Sequence, residues 1–168
     1  MVIGPCGAGK SAASRRIAAA LDLPLYHLDR LHWQAGWQEG TMDDLRRALA
    51  PILADERWLI DENYGSTLTL RLARADCVVY LDFSVKLCLW RAARRLWHFR
   101  GRTRPDMADD CPERLDLAFF HFIARWNQDV RPGVELRLAQ STAQVLRFSG
   151  PRELENWLVQ LETRHADV

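Results

Sequence analysis

The sequence predicts an α/β fold in which strands of a parallel sheet are covered by helices on both faces. Five compact apolar runs are spaced along the chain, and segments with helical start signals separate them. Charge or turn residues bound each run, as expected of strands buried on both faces. The right-handedness of parallel crossovers then places helices on both sides of the sheet. At 168 residues the chain has room for one sizeable core, so residues 1–168 read as a single domain.

The elements follow in order. Met1, Val2 and Ile3 make a first strand, short against a typical length of about five or six residues. Either a start codon upstream or a strand clipped at its solvent end would account for that. Ser11 to Leu21 reads as a helix, and Leu25 to Leu28 after Pro24 as the second strand. Thr41 with Asp44 three residues later predicts a capping box that opens a helix to about Asp55, with Pro51 bending or shortening it. Trp58 to Ile60 and Val78 to Leu81 are the third and fourth strands. Ser84 caps a long helix to about Arg100, and Pro112 with Glu113 predicts the first turn of another. Val145 to Phe148 completes the strands. Ser149, Gly150 and Pro151 open a terminal helix with Leu154, Trp157, Leu158 and Leu161 on one face.

Residues 4–11, GPCGAGKS, satisfy GxxxxGK[ST] between an apolar strand and a helix, the context that a phosphate-binding P-loop requires. Gly4, Gly7 and Gly9, with the small Ala8 among them, let successive amides turn toward phosphate oxygens, and the following helix adds its positive end. Of 23 basic residues only Lys10 and Lys86 are lysines. A compact ammonium on a flexible stem reaches between phosphates where a planar guanidinium would not fit, which explains lysine at position 10. Ser11 would coordinate Mg²⁺ through its hydroxyl.

Three aspartates follow apolar strands: Asp29 after LYHL, Asp61 after WLI and Asp82 after VVYL. Ligands gather at the carboxyl ends of strands in open α/β sheets. Asp61 is the candidate metal carboxylate, directly or through water, with a turn cap as the structural alternative. Asp29 is the candidate for orienting the acceptor hydroxyl or taking its proton. Asp82 is expected to help cap the next helix, though it competes with Asp61 for the metal.

From Arg91 to Arg104 the chain carries seven basic side chains and no acid, and acids from Asp106 to Asp116 follow. A mobile lid of about residues 100–112 would use Arg100, Arg102 and Arg104 to stabilise charge on a transferring phosphoryl group. A solvated helix face is the plainer reading of Arg91, Arg94 and Arg95. The adjacent acids and a net charge of +1 disfavour nucleic acid as a partner. Cys6, Cys77, Cys88 and Cys111 lack metal spacing and read as incidental thiols. Apolar runs are too short to span a membrane and no export signal is evident, so a cytoplasmic protein is expected. Monomer and dimer stay open.

Together GPCGAGKS, LPLYHLDRLHW, WLIDENY, VVYLDFS and RGRTRPDMADDCPERLD resemble the bacterial DNA topology modulation proteins, which are similar to small P-loop kinases of the adenylate kinase type. The resemblance covers nearly the whole chain. It implies a five-stranded parallel sheet with the 57–61 strand beside the P-loop strand, which favours Asp61 over Asp82 for Mg²⁺. It also implies Gly4, Gly9, Lys10 and Ser11 as phosphate and metal contacts, and the arginines of 100–104 as lid. Two departures stand out: Ala12 follows Ser11, and Glu62 follows Asp61 where the adenylate kinase pattern has glycine. The second weakens the case for a nucleoside monophosphate acceptor. The expected function is an ATP- and Mg²⁺-dependent phosphotransferase, small-molecule or nucleotide kinase-like, transferring the γ-phosphoryl group to an acceptor that the sequence does not identify; the alternative is a regulatory ATP-binding protein with slow ATPase activity and a protein or DNA partner. Residues 30–40 and the helix after Thr41 are the expected acceptor wall, with His32, Trp33 and Trp37 as candidate linings.

Overall fold

The computed structural model describes residues 1–165; the last three residues of the expected 1–168 domain lie outside the described residues. Strands β1 (Val2–Ile3), β2 (Leu25–His27), β5 (Leu59–Asp61), β6 (Cys77–Leu81) and β7 (Gln144–Phe148) form one parallel sheet in the order β2-β5-β1-β6-β7. The 59–61 strand lies beside the first strand, as the resemblance implied.

Side-chain alternation along the strands divides the core. Val79 and Leu81 point to one face, where they pack with Ala13, Ile17, Ala92 and Ile123. Val78 and Tyr80 point to the other, against Leu68, Leu72, Trp126 and Val134. Helices α1 (Lys10–Leu21), α5 (Val85–His98), α6 (Leu117–Ala124) and α9 (Pro151–His165) cover the first face. Helices α4 (Gly65–Leu72), α7 (Trp126–Asp129) and α8 (Arg131–Ala139) cover the second. Helix α3 (Met42–Ala54) packs Leu45, Leu49 and Ile52 with Leu28 and Ile60 in a third cluster.

The capping box of α3 forms in both directions between Thr41 and Asp44, and the helix continues past Pro51 to Ala54. Ser84 accepts from the Leu87 amide and caps α5. Two expectations are corrected. Asp82 does not cap that helix; its carboxylate pairs with Arg131 at 2.7 Å and Arg147 at 3.4 Å. Pro112 and Glu113 open no helix, because the chain there bridges to Thr103 and Arg100, and α6 starts only after Asp116 accepts from the Phe119 amide.

After β2, helix α2 (Leu28–His32) leads into a hairpin of β3 (Trp33–Gln34) and β4 (Gln38–Glu39). That hairpin is tied to the 110–112 segment. Gly36 donates to the Asp110 carbonyl, Trp37 Nε1 to the Pro112 carbonyl, and the Cys111 thiol to the Gln34 carbonyl.

Candidate functional site

The loop between β1 and α1 is set by packing before any ligand is considered. Gly4 has φ +145°, and a Cβ there would lie 2.5 Å from the Leu81 carbonyl oxygen. Gly9 takes φ +97° as the N-cap of α1, with no side-chain cap and no acid in the first turn. A helix begun this way leaves its first amides without intrahelical acceptors. Gly9, Lys10, Ser11 and Ala12 line a cavity of about 780 Å³.

The segment after β5 is held by two clamps. Asn63 accepts from the Gly4 amide at 3.0 Å and donates to the Gly4 carbonyl at 2.6 Å, pairing as a strand would. Arg71, fully buried on α4, donates to the carbonyls of Glu62, Asn63 and Tyr64. Burial pulls its guanidinium pKa down to about 10. These bonds compensate for positive φ at two residues with side chains, Glu62 at 84° and Tyr64 at 32°.

The strained turn sends Glu62 toward the loop. Its carboxylate lies 3.0 Å from Lys10 Nζ, which also donates to the Pro5 carbonyl at 3.2 Å. Burial opposes the lysine charge, yet Glu62 holds the Lys10 pKa above the ordinary lysine value. Burial, with Asp29 and Asp61 nearby, pushes Glu62 up to about 7 against the attraction of Lys10.

Asp29 accepts from the Tyr64 hydroxyl at 2.9 Å. Its pKa is raised, chiefly by burial. Asp61 is fully buried and faces His27, whose Nδ1 lies 2.9 Å from both carboxylate oxygens. Burial lowers the His27 pKa, but the Asp61 bond and charge outweigh it and raise it overall. No group of three or more His, Cys, Asp or Glu side chains among the described residues could hold a metal ion by itself.

Helix α5 and the segment after it close the cavity. Arg91 donates to the Ala8 carbonyl at 2.9 Å. Arg95 and Arg104 converge on Glu113 at 3.1 and 2.5 Å, and Arg104 also meets Asp106 at 2.6 Å. Burial opposes the Asp106 charge, but Arg104 and the Ser11 hydroxyl keep its pKa below the usual carboxylate range. Arg104 lines the cavity, whereas Arg100 and Arg102 are exposed and do not line it.

A second cavity of about 890 Å³ lies beside the first, and Cys6, Asp29, Glu62, Arg95, Arg104 and Phe119 line both. Burial pushes the Cys6 thiol up to about 11, so it remains protonated. Trp33 and Trp37 line the second cavity. His32 sits behind them, its Nε2 3.2 Å from Glu39 and its ring edge-on to Trp33 and Tyr64.

The structure therefore brings together Gly7, Gly9, Lys10, Ser11, Asp29 and Arg104 around one space. Gly4 and the buried Ala8 shape the loop beneath it. Glu62 was noticed in the sequence only as a departure, yet it is the carboxylate that faces Lys10. Arg71 gave no sequence signal, since an arginine on a helix ordinarily reads as solvated.

No family model and no curated protein matches the chain. Among solved structures, the chain is similar to a protein from Chloroflexus aurantiacus J-10-fl described as a "putative kinase". The two share 16% identity and a TM-score of 0.50, over 98% of this chain and 97% of that one. The likeness is one of fold, which in this chain is an α/β architecture around a five-stranded parallel sheet.

Proposed function

We propose that the chain is an ATP- and Mg²⁺-dependent phosphotransferase built as one P-loop domain, with residues 100–112 as its lid. The observation that carries this reading is the uncapped start of α1 and the buried Lys10 ammonium facing a cavity that meets a second one across Asp29 and Glu62. Loop amides from Gly4 to Ser11 would bind the phosphates, and Lys10 would offset their charge.

The donor set suits Mg²⁺, which keeps several waters and takes only one or two protein ligands beside phosphate oxygens. Ser11 would hold it directly; Asp61, engaged by His27, would act through water. When bound, the ion would offset charge on the phosphate oxygens.

In the transfer, the acceptor hydroxyl oxygen bonds to the γ-phosphorus, the bond from phosphorus to the β,γ-bridging oxygen breaks, and ADP leaves. The hydroxyl proton passes to Asp29, whose raised pKa suits a base. Arg104 would stabilise the charge in transit, and Arg100 and Arg102 would join it only after a further movement of the lid.

Coupled detection of ADP tests the reading. A phosphotransferase releases ADP much faster when its acceptor is present. Slow ADP release that ignores small molecules and responds to a protein or DNA would instead establish the regulatory alternative.

A further inference from the structure

Resting on the phosphotransferase reading, we infer that the larger cavity takes as acceptor an aromatic alcohol that carries no phosphate. Its volume of about 890 Å³ is ample for a drug-sized molecule. One wall is the β3–β4 hairpin, where Trp33 and Trp37 meet edge to face, their ring centroids 5.4 Å apart. The lining also includes Leu68, Phe119 and Phe122. An aromatic lining accommodates a flat apolar body by stacking and burial.

The polar groups select for the remainder of the molecule. Where the two cavities meet stand two half-buried carboxylates, Asp29 and Glu62, the latter paired with Lys10. Tyr64 occupies Asp29 Oδ1, and no described residue donates to Oδ2, which suits an incoming hydroxyl. A phosphate monoester there would face like charge.

Each arginine around the cavity already has a protein partner, and Arg104, the one assigned to the phosphoryl group in transit, is held by two carboxylates. Arg95 and Arg104 share Glu113, Arg137 donates to the Gly133 carbonyl, and Arg114 lies over the Trp37 ring at 5.3 Å. Acids around the cavity outnumber arginines six to four. Recognition of a phosphate acceptor calls for guanidinium groups free to form paired bonds.

Matched pairs decide the matter by calorimetry: 2-phenylethanol, tryptophol and adenosine, each against its phosphate monoester. The alcohols are expected to bind about tenfold or more tightly than their monoesters, and Trp33→Ala and Phe122→Ala, both in the cavity lining, each to weaken them about tenfold. Equal or tighter binding of the monoesters, or no saturable binding by any alcohol, overturns the assignment. ATP titrations of the same samples keep the two readings apart. Absence of ATP binding in the wild type rejects the phosphotransferase, whereas rejection of the alcohols with ATP binding intact rejects the acceptor class alone.

Discussion

Lys10 Nζ rests 3.0 Å from the Glu62 carboxylate and 3.2 Å from the Pro5 carbonyl, so the ammonium is folded against its own surroundings. On the proposed reading, Lys10 would exchange a protein carboxylate for phosphate oxygens when nucleotide binds. Glu62→Gln removes the competing charge, and ATP affinity measured by calorimetry is expected to rise about fivefold. An unchanged affinity would show that the pair does not compete with nucleotide.

Lys10→Ala tests the loop itself. Loss of one charge-assisted contact should weaken ATP binding by about 2 kcal/mol, or about thirtyfold, and abolish thermal stabilisation by nucleotide. Retained stabilisation would remove Lys10 from the binding loop.

The arginines divide by position. Arg104 lines both cavities and holds Asp106 and Glu113, whereas Arg102 is exposed. Arg104→Ala is expected to lower turnover by about 10³-fold with ATP affinity nearly intact, and Arg102→Ala, whose side chain would arrive only after further movement of the lid, to lower it by less than Arg104→Ala does. Steady-state kinetics with the acceptor distinguish them, and equal effects would reject the division.

Arg71→Leu should be among the costlier substitutions for folding. It leaves the Glu62, Asn63 and Tyr64 carbonyls without their buried donor, a loss of about 3 kcal/mol in urea denaturation. A loss below about 1 kcal/mol would show that water replaces the guanidinium.

The capping box of α3 supplies a pH test. The Thr41 hydroxyl, then its amide, lowers the Asp44 pKa, so the stabilisation is complete above the ordinary aspartate range and is lost as pH falls through the depressed folded value. Wild type should therefore exceed Asp44→Asn in thermal midpoint at neutral pH, and the two should converge in acid. A gap independent of pH would rule out the carboxylate as its source.

Much of this architecture could be read from residues alone, because buried strands and caps are written locally. Val78 to Leu81 alternates between two cores, Thr41 and Asp44 close a turn, and GPCGAGKS carries its own backbone demands. What escaped depends on distant partners. Pro112 and Glu113 have the chemistry of a helix start, but bridges to Thr103 and Arg100 fix them in extended chain. Asp61 ends a strand as a metal ligand would, but spacing does not reveal its pairing with His27 on the neighbouring strand, nor the turn of Glu62 toward Lys10. Arg71 works through three carbonyls that no spacing rule connects to it.

The bonds from Gly36, Trp37 and Cys111 fasten the β3–β4 hairpin, a wall of the larger cavity, to residues 110–112 of the proposed lid. If the proposed lid swings to uncover the Lys10 side, these bonds would carry Trp33 and Trp37 with it. On that reading the two cavities would open as one, and nucleotide and acceptor would be released together.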